Sequence, residues 1–359
     1  MSNNSLSIAI IVKNEEVTLP RILPKIMQFC DEIVIVDTGS TDKTKEIAKQ
    51  YTLNVYDFEW IDDFSAARNF AFSKCTKDWV MWLDADDCIP QKLIEDFKSL
   101  KTSLSDDYYG VFIPYRISFN TRNDCIFSYY RGRIFKRSLN LKWSGEIHES
   151  IYLDPSKALH ANNCWIEHRP LISSAEKTDR NLNIMEKLLN KGDRSSRSLF
   201  YYANELTDHR QWEKAIYIYL EFLDLPSQDW EKYYALRKLS KCFKFRDNSE
   251  RAIEYLLKAI AHSPERAEAF TELGLIYYVQ NQFNKALPFF AAASSLPKPD
   301  NLGFLEEQYY TYLSKDYLAI CLSRIGQIQK AKDLTEEILD INPDKERLLA
   351  NLKYYNSKL

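Results

Sequence analysis

With 359 residues the chain exceeds the usual size of one domain, so two domains are expected, each long enough to bury its own core. Hydrophobic residues make up 45% and charged residues 28%, a globular balance, and a net charge of -3 is too small for a chain that wraps nucleic acid or rests on a polybasic membrane anchor. The polar start Met1-Ser2-Asn3-Asn4-Ser5 has no signal pattern, and no apolar run approaches the roughly 20 residues of a membrane span, so a cytoplasmic protein with no integral membrane segment and no nucleic-acid partner is expected.

The first part alternates strand and helix signals. Residues 6–12 read as a strand rich in Ile and Val, 19–29 as a helix, 32–36 as a second strand of the buried type, and 43–51 as a helix. A short strand at 54–57 and a helix at 65–75 lead to the apolar run Trp79-Val80-Met81-Trp82-Leu83. This alternation predicts an α/β domain with a mostly parallel sheet and right-handed crossovers. Ligands of such sheets sit beyond the carboxyl ends of the strands, and polar residues gather there: Asn14-Glu15-Glu16 after the first strand, Asp37-Thr38-Gly39-Ser40 after the second, Asp84-Ala85-Asp86-Asp87 after the fourth.

Asp84, Asp86 and Asp87 place three carboxylates within four residues. Their oxygens are hard ligands for Mg2+ or Mn2+, which keep positions open for phosphate oxygens. The two-residue period of a strand sets Asp84 and Asp86 on one face and turns Asp87 away, although a plain turn or helix cap is the ordinary alternative. Asp37 closes a buried strand and needs hydrogen-bond donors, which a nucleotide base or ribose offers, whereas Ser40 or Thr41 is explained by capping the next helix. Asn14-Glu15 also reads as a helix start. Arg68 stands one turn into a helix that opens at Asp63 or Ser65, where its planar fork suits phosphate or a base edge, or simply a helix surface.

Further on, Arg131-Gly132-Arg133-Ile134-Phe135-Lys136-Arg137 precedes Trp143-Ser144-Gly145-Glu146-Ile147-His148-Glu149. These basic residues could line a sugar-diphosphate, with neutral His148 as a third metal ligand and Glu149 as a base or an orienting group. His160, His168, His209 and His262 read as structural. Trp79, Trp82 and Trp143 pack in the core or stack on a sugar. The seven scattered cysteines fit reduced, mostly buried thiols.

From about residue 180 only helical signals remain. Phe270, Leu273-Gly274, Tyr277, Ala286, Phe290, Ala293 and Pro297 follow the tetratricopeptide pattern, in which small residues let paired helices approach. Ala215 with Pro226, Ala252 with Pro264 and Ala331 with Pro343 fall at equivalent points, giving about four degenerate repeats, an insertion near 297–304 and a capping helix over 345–359. The expected division is 1–175 and 176–359.

In order and spacing, Ile10-Ile11-Val12-Lys13-Asn14-Glu15-Glu16, Val34-Ile35-Val36-Asp37-Thr38-Gly39-Ser40-Thr41-Asp42, Ala67-Arg68-Asn69 and Trp82-Leu83-Asp84-Ala85-Asp86 resemble the family 2 glycosyltransferases of the GT-A fold, over roughly residues 6–170. The resemblance implies an inverting enzyme that uses a nucleoside diphosphate sugar and a divalent metal. Carried over, it implies that Asp37 and Arg68 hold the nucleoside, that Asp84 approaches ribose and metal, and that Asp86 is the direct ligand. Val12, Asn14, Glu15, Ala85 and Arg133 join the nucleotide-sugar site, and Arg68 or Arg133 meets the charge of the departing diphosphate. Glu149 or Asp87 is the candidate base.

The run Asp63-Phe64-Ser65-Ala66-Ala67-Arg68-Asn69, the late His-Glu pair and the repeat tail are most similar to the sublancin-type bacteriocin S-glycosyltransferases. That likeness implies a UDP-hexose donor and a Cys or Ser acceptor in a peptide. A lipopolysaccharide or other glycan acceptor is the alternative, and a non-catalytic repeat scaffold that holds peptide or nucleotide is the alternative from another class. The tail would select the acceptor or form a homodimer.

Overall fold

The first strand, β1 (Leu6–Val12), is buried along nearly its whole length, as suits a central parallel strand written in Ile, Ala and Val. The structure is a computed structural model, and it describes residues 4–170, 179–299 and 303–359. After β1 come α1 (Leu19–Ile26), β2 (Glu32–Asp37), α2 (Thr44–Ala48), β3 (Val55–Asp57), α3 (Phe64–Lys74) and β4 (Trp79–Asp84). The helix α1 buries Leu19, Ile22, Leu23 and Ile26, one stripe at helical spacing. Parallel pairing joins β1 to both β2 and β4, and β2 to β3. The registers Val12↔Asp37 and Ile11↔Asp84 end the three central strands at one edge, which brings their acidic termini together.

The sheet continues through β5 (Asp87–Cys88), then after α4 (Ile94–Ser103) through β6 (Gly110–Phe119), β7 (Cys125–Lys136), β8 (Ala158–His160) and β9 (Ile166–His168). Its order is β3-β2-β1-β4-β7-β6-β9-β5, with β8 on β6. The sheet is therefore mixed: β7 runs antiparallel to β4, and β9 antiparallel to β5. None of the strands after β4 is legible in the sequence as a long apolar run, because β6 and β7 are half-buried over much of their length.

By contacts the chain divides into Met1–Ile117 with Tyr129–Ile184, and Ser118–Ser128 with Met185–Leu359. The boundary expected between residues 175 and 176 lies outside the described residues. After α5 (Arg180–Asn190), the second unit is built from the helix pairs α6 (Ser196–Asp208) with α7 (Trp212–Leu223), α8 (Asp229–Phe245) with α9 (Ser249–His262), and α10 (Ala267–Val279) with α11 (Phe283–Ser295). The short α12 (Gln308–Thr311) precedes a further pair, α13 (Leu313–Arg324) with α14 (Ile328–Glu337), and α15 (Lys345–Asn356) follows. Ala215, Ala252, Ala286 and Ala331 are fully buried in the second helix of successive pairs, where any larger side chain would hold the partner helix away. Part of the insertion expected at 297–304 lies outside the described residues; Leu305 exchanges backbone hydrogen bonds with Ser128 of the same unit. Among the described residues no helix is long and apolar enough to cross a membrane.

Candidate active site

The loop after β1 and the loop after β2 brace each other. Asn14, in a left-handed conformation (φ 57), accepts from the Thr41 amide through Oδ1 at 2.8 Å, and its own amide donates to Ser40 Oγ at 2.9 Å. The Val12 carbonyl accepts from the Thr38 amide and hydroxyl. Both residues expected to touch a nucleotide thus have these groups engaged in holding the rim. Asp37 differs: Oδ2 accepts from the Gly39 and Ser40 amides at 3.1 and 3.0 Å, while the buried Oδ1 has no hydrogen-bond partner among the described residues. The Glu15 carboxyl is raised above its ordinary range, by burial first and by Asp42 and Asp84, against a hydrogen bond from Thr18.

Beyond β4 the chain turns at Ala85 and Asp86, and Asp87 begins β5. This turn breaks the two-residue alternation on which the sequence reading relied. Asp87 does not point away: Oδ2 accepts from the Asp84 amide at 2.9 Å, and Asp87, Asp86 and His168 offer ligand atoms within 4.8 Å of one another. The backbone dictates this meeting, because Asp87 pairs with His168 across β5 and β9. Burial raises the Asp86 carboxyl to about 8, with Asp84, Asp87 and Glu15 adding repulsion. Asp87 is raised as well, by burial and then against the pull of Arg133. His168 is lowered by burial, against the attraction of Asp87 and Asp84, which favours the neutral imidazole.

The third part is cationic. Arg68, from α3, donates Nε to Glu149 at 2.5 Å and Nη2 to Asp84 at 2.6 Å. Helix α3 presents it there because Asp63 caps the helix, accepting from the Ala66 amide at 2.9 Å. Arg133, fully buried, donates Nη1 to Asp87 at 2.9 Å. Both guanidinium groups, and that of Arg131, lie against the indole of Trp82. Burial works to raise the Asp84 carboxyl, yet Arg68, Arg133 and Arg131 outweigh it and hold Asp84 well below the usual carboxylate range.

The structure therefore gathers Asp84, Asp86, Asp87, Arg68, Arg133 and Glu149. The histidine of the acidic group is His168, which the sequence reading left as structural; His148 lies outside that group. Asp84, expected as a ligand, has Oδ1 occupied by Arg68. Glu149 and Asp87, the expected bases, are both buried and ion-paired, Glu149 to Arg68 and Asp87 to Arg133. Ala85 is buried in the turn.

The carboxylate cluster and the guanidinium groups thus stand together at the carboxyl edge of the parallel strands, where open α/β sheets hold their ligands. Residues 7–151 match Glycosyl transferase family 2, and residues 267–359 match the prolyl 4-hydroxylase peptide-substrate-binding domain. The chain carries a Glycosyl transferase family 2 domain followed by a helical region of tetratricopeptide type. It is 26% identical over 250 residues to the SPbeta prophage-derived glycosyltransferase SunS of Bacillus subtilis, covering 64% of this chain and 54% of that one. An uncharacterized glycosyltransferase of Rickettsia prowazekii is 35% identical over 29% of this chain and 35% of its own length. A TPR repeat-containing protein of Synechococcus elongatus is 38% identical over 28% of this chain and 24% of its own length. The chain thus spans about a quarter to about half of the length of these relatives.

Proposed function

We propose that this chain transfers a hexose from a nucleoside diphosphate sugar, UDP-hexose first, to a Cys or Ser side chain of a peptide, in a reaction that depends on Mg2+ or Mn2+. The observation that carries the proposal is the adjacency of two opposite features: the Asp86, Asp87 and His168 group, and the arginines gathered on Trp82. A diphosphate needs both a cation and fixed donors, and these stand side by side. The donor set fits a divalent ion: the buried Asp87 Oδ1 and His168 Nδ1 have no hydrogen-bond partner among the described residues, and two carboxylates with one imidazole suit Mn2+ or Mg2+. When bound, such an ion supplies positive charge for phosphate oxygens.

The chain's own residues do the rest. The free Oδ1 of Asp37 can accept from an N–H of the base or a ribose hydroxyl. Glu149 fixes Arg68, and Arg68 in turn fixes Asp84 at the end of β4. With Glu149 and Asp87 both tied to arginines, an acceptor that needs little help from a base is favoured, and a thiol, with a pKa of about 8.5, is already partly ionised near neutral pH. The peptide acceptor is supported by the match of residues 267–359 to the prolyl 4-hydroxylase peptide-substrate-binding domain, and glycosyl transfer by the likeness to the glycosyltransferase SunS.

The test is release of nucleoside diphosphate from a panel of UDP- and GDP-sugars with Mn2+ or Mg2+, with and without a peptide containing Cys and Ser, followed by mass spectrometry of the peptide. A metal-dependent hexose increment on the peptide is expected. Donor turnover without that increment moves the acceptor to a glycan, and no turnover with any donor overturns the transferase reading.

A further inference from the structure

Three guanidinium groups share one indole. Their carbon centres lie 3.9 Å (Arg133), 4.3 Å (Arg68) and 4.4 Å (Arg131) from the Trp82 ring centroid. Like charges so close, beside a fully buried ring, persist only where anions compensate them. For two of the three the anions are in place. Arg68 is held between Asp84 and Glu149, and Arg133 is bound to Asp87 with no surface left for a ligand to reach. Arg131 is different: half-buried, its guanidinium donates no side-chain hydrogen bond and forms no ion pair among the described residues, lies on the rings of Trp82 and Tyr115, and meets the charges of Asp84 and Glu149 only beyond ion-pair distance.

Its position is set by the sheet. The antiparallel register of β4 with β7 pairs Trp79↔Lys136, Val80↔Phe135 and Met81↔Ile134. Carried three residues further, that register sets Arg131 level with Asp84, next to the turn that holds Asp86. A guanidinium that lies over an aromatic ring uses its π face there and keeps its in-plane N–H groups free for a planar acceptor. The fork of Arg131 thus donates to no side chain among the described residues, and it stands beside the indole and the acidic group.

We propose that Arg131, rather than Arg68 or Arg133, binds the distal, sugar-bearing phosphate of the nucleoside diphosphate; this rests on the transferase reading above. As the bond from the anomeric carbon to the phosphate oxygen breaks, its electron pair goes to that oxygen. The acceptor sulfur or oxygen supplies the pair for the new bond and its proton leaves to water. Arg131 meets the charge that accumulates on the departing phosphate, a place where a preorganised donor counts most.

The distal phosphate distinguishes UDP from UMP, so the two nucleotides form the probe. Each is titrated by calorimetry, with Mn2+, into the wild type, Arg131→Gln and Arg131→Lys, with thermal unfolding as the check on folding. The expected result is that wild type prefers UDP over UMP, that Arg131→Gln loses about tenfold of that preference with UMP binding unchanged, and that Arg131→Lys falls between. If Arg131→Gln does not fold, Arg131→Lys decides alone, because lysine keeps the charge without the fork. Equal weakening of UDP and UMP, or no change in either, overturns the assignment while leaving the transferase reading intact. Wild type that binds neither UDP nor GDP overturns both.

Discussion

His168 lies directly across from Asp87 in the antiparallel pairing of β9 with β5, and its Nδ1 stands 3.5 Å from Oδ2 of Asp86. This pairing makes His168, not His148, the imidazole of the acidic group. Replacing His168 by Ala is expected to lower Mn2+ affinity by about 10- to 100-fold, the usual range for losing a group that fixes a metal site. His148 has a left-handed backbone (φ 51), which Asn also tolerates, so His148→Asn is the matched control and should leave Mn2+ affinity unchanged. Both are read by titration with Mn2+ monitored by electron paramagnetic resonance. Loss of affinity in His148→Asn but not in His168→Ala would reverse the assignment.

Metal affinity should also depend on pH, with a sign fixed by Asp86. Burial, with the neighbouring carboxylates, raises its pKa to about 8, so at neutral pH and without a cation the group holds its proton. A cation must displace that proton, whereas His168, lowered by burial, is already neutral and adds no step near pH 7. The apparent Mn2+ association constant is therefore expected to rise about tenfold per pH unit below about 8 and to level off above it. The check is the same titration repeated from pH 6 to pH 9, run in wild type and Asp86→Asn. A flat profile in wild type would separate the cation from Asp86.

The strands β1, β2 and β4 were legible because parallel strands buried on both faces are written as apolar runs, each leading into polar residues at one edge. The helical repeats were legible for a similar reason: Ala215, Ala252, Ala286 and Ala331 recur where helices must approach. His168 was not, because β5 is two residues long, β9 three, and each is a strand only through a partner about 80 positions away in sequence. The orientation of Asp87 was missed for a local reason, since a strand's alternation does not survive the turn at Ala85 and Asp86. Nor does any local pattern show that Glu149 belongs to Arg68, a pair 81 residues apart. Charge pairing across a core is a property of the folded sheet.

The Arg68–Glu149 pair gives a prediction that separates a positioning role from a base. Both residues are buried, and Glu149→Ala would leave Arg68 with Asp84 alone, at a cost of about 3 kcal/mol in stability. Glu149→Gln keeps a hydrogen-bond acceptor for Nε but removes the charge. It is expected to lower kcat/KM for the donor sugar by about 10-fold, an energetic loss of about 1.4 kcal/mol, while the pH profile of turnover keeps its shape. If Glu149 took the acceptor proton, Glu149→Gln would abolish turnover and remove the rising limb of the profile. Donor kinetics over pH 5.5 to pH 9 in wild type and Glu149→Gln distinguish the two.

In the helical unit, the most constrained small residue is Gly274 of α10. A Cβ placed there would stand 2.8 Å from the Phe290 ring of α11, which is fully buried and stacked on Tyr317. Ala normally stabilises a helix interior relative to Gly by about 0.5–1 kcal/mol, whereas overpacking a close-packed core costs about 1–3 kcal/mol. The steric term is the larger, so Gly274→Ala is expected to be a net loss of about 1 kcal/mol, despite its favourable helix propensity. The cause can be isolated with Phe290→Leu, whose smaller side chain makes room for the added methyl. In a double-mutant cycle measured by urea unfolding, Gly274→Ala should become neutral or stabilising in the Phe290→Leu background. If Gly274→Ala stabilises the wild type, the two helices can part to admit a methyl group, and the close approach at Gly274 is not what sets their spacing.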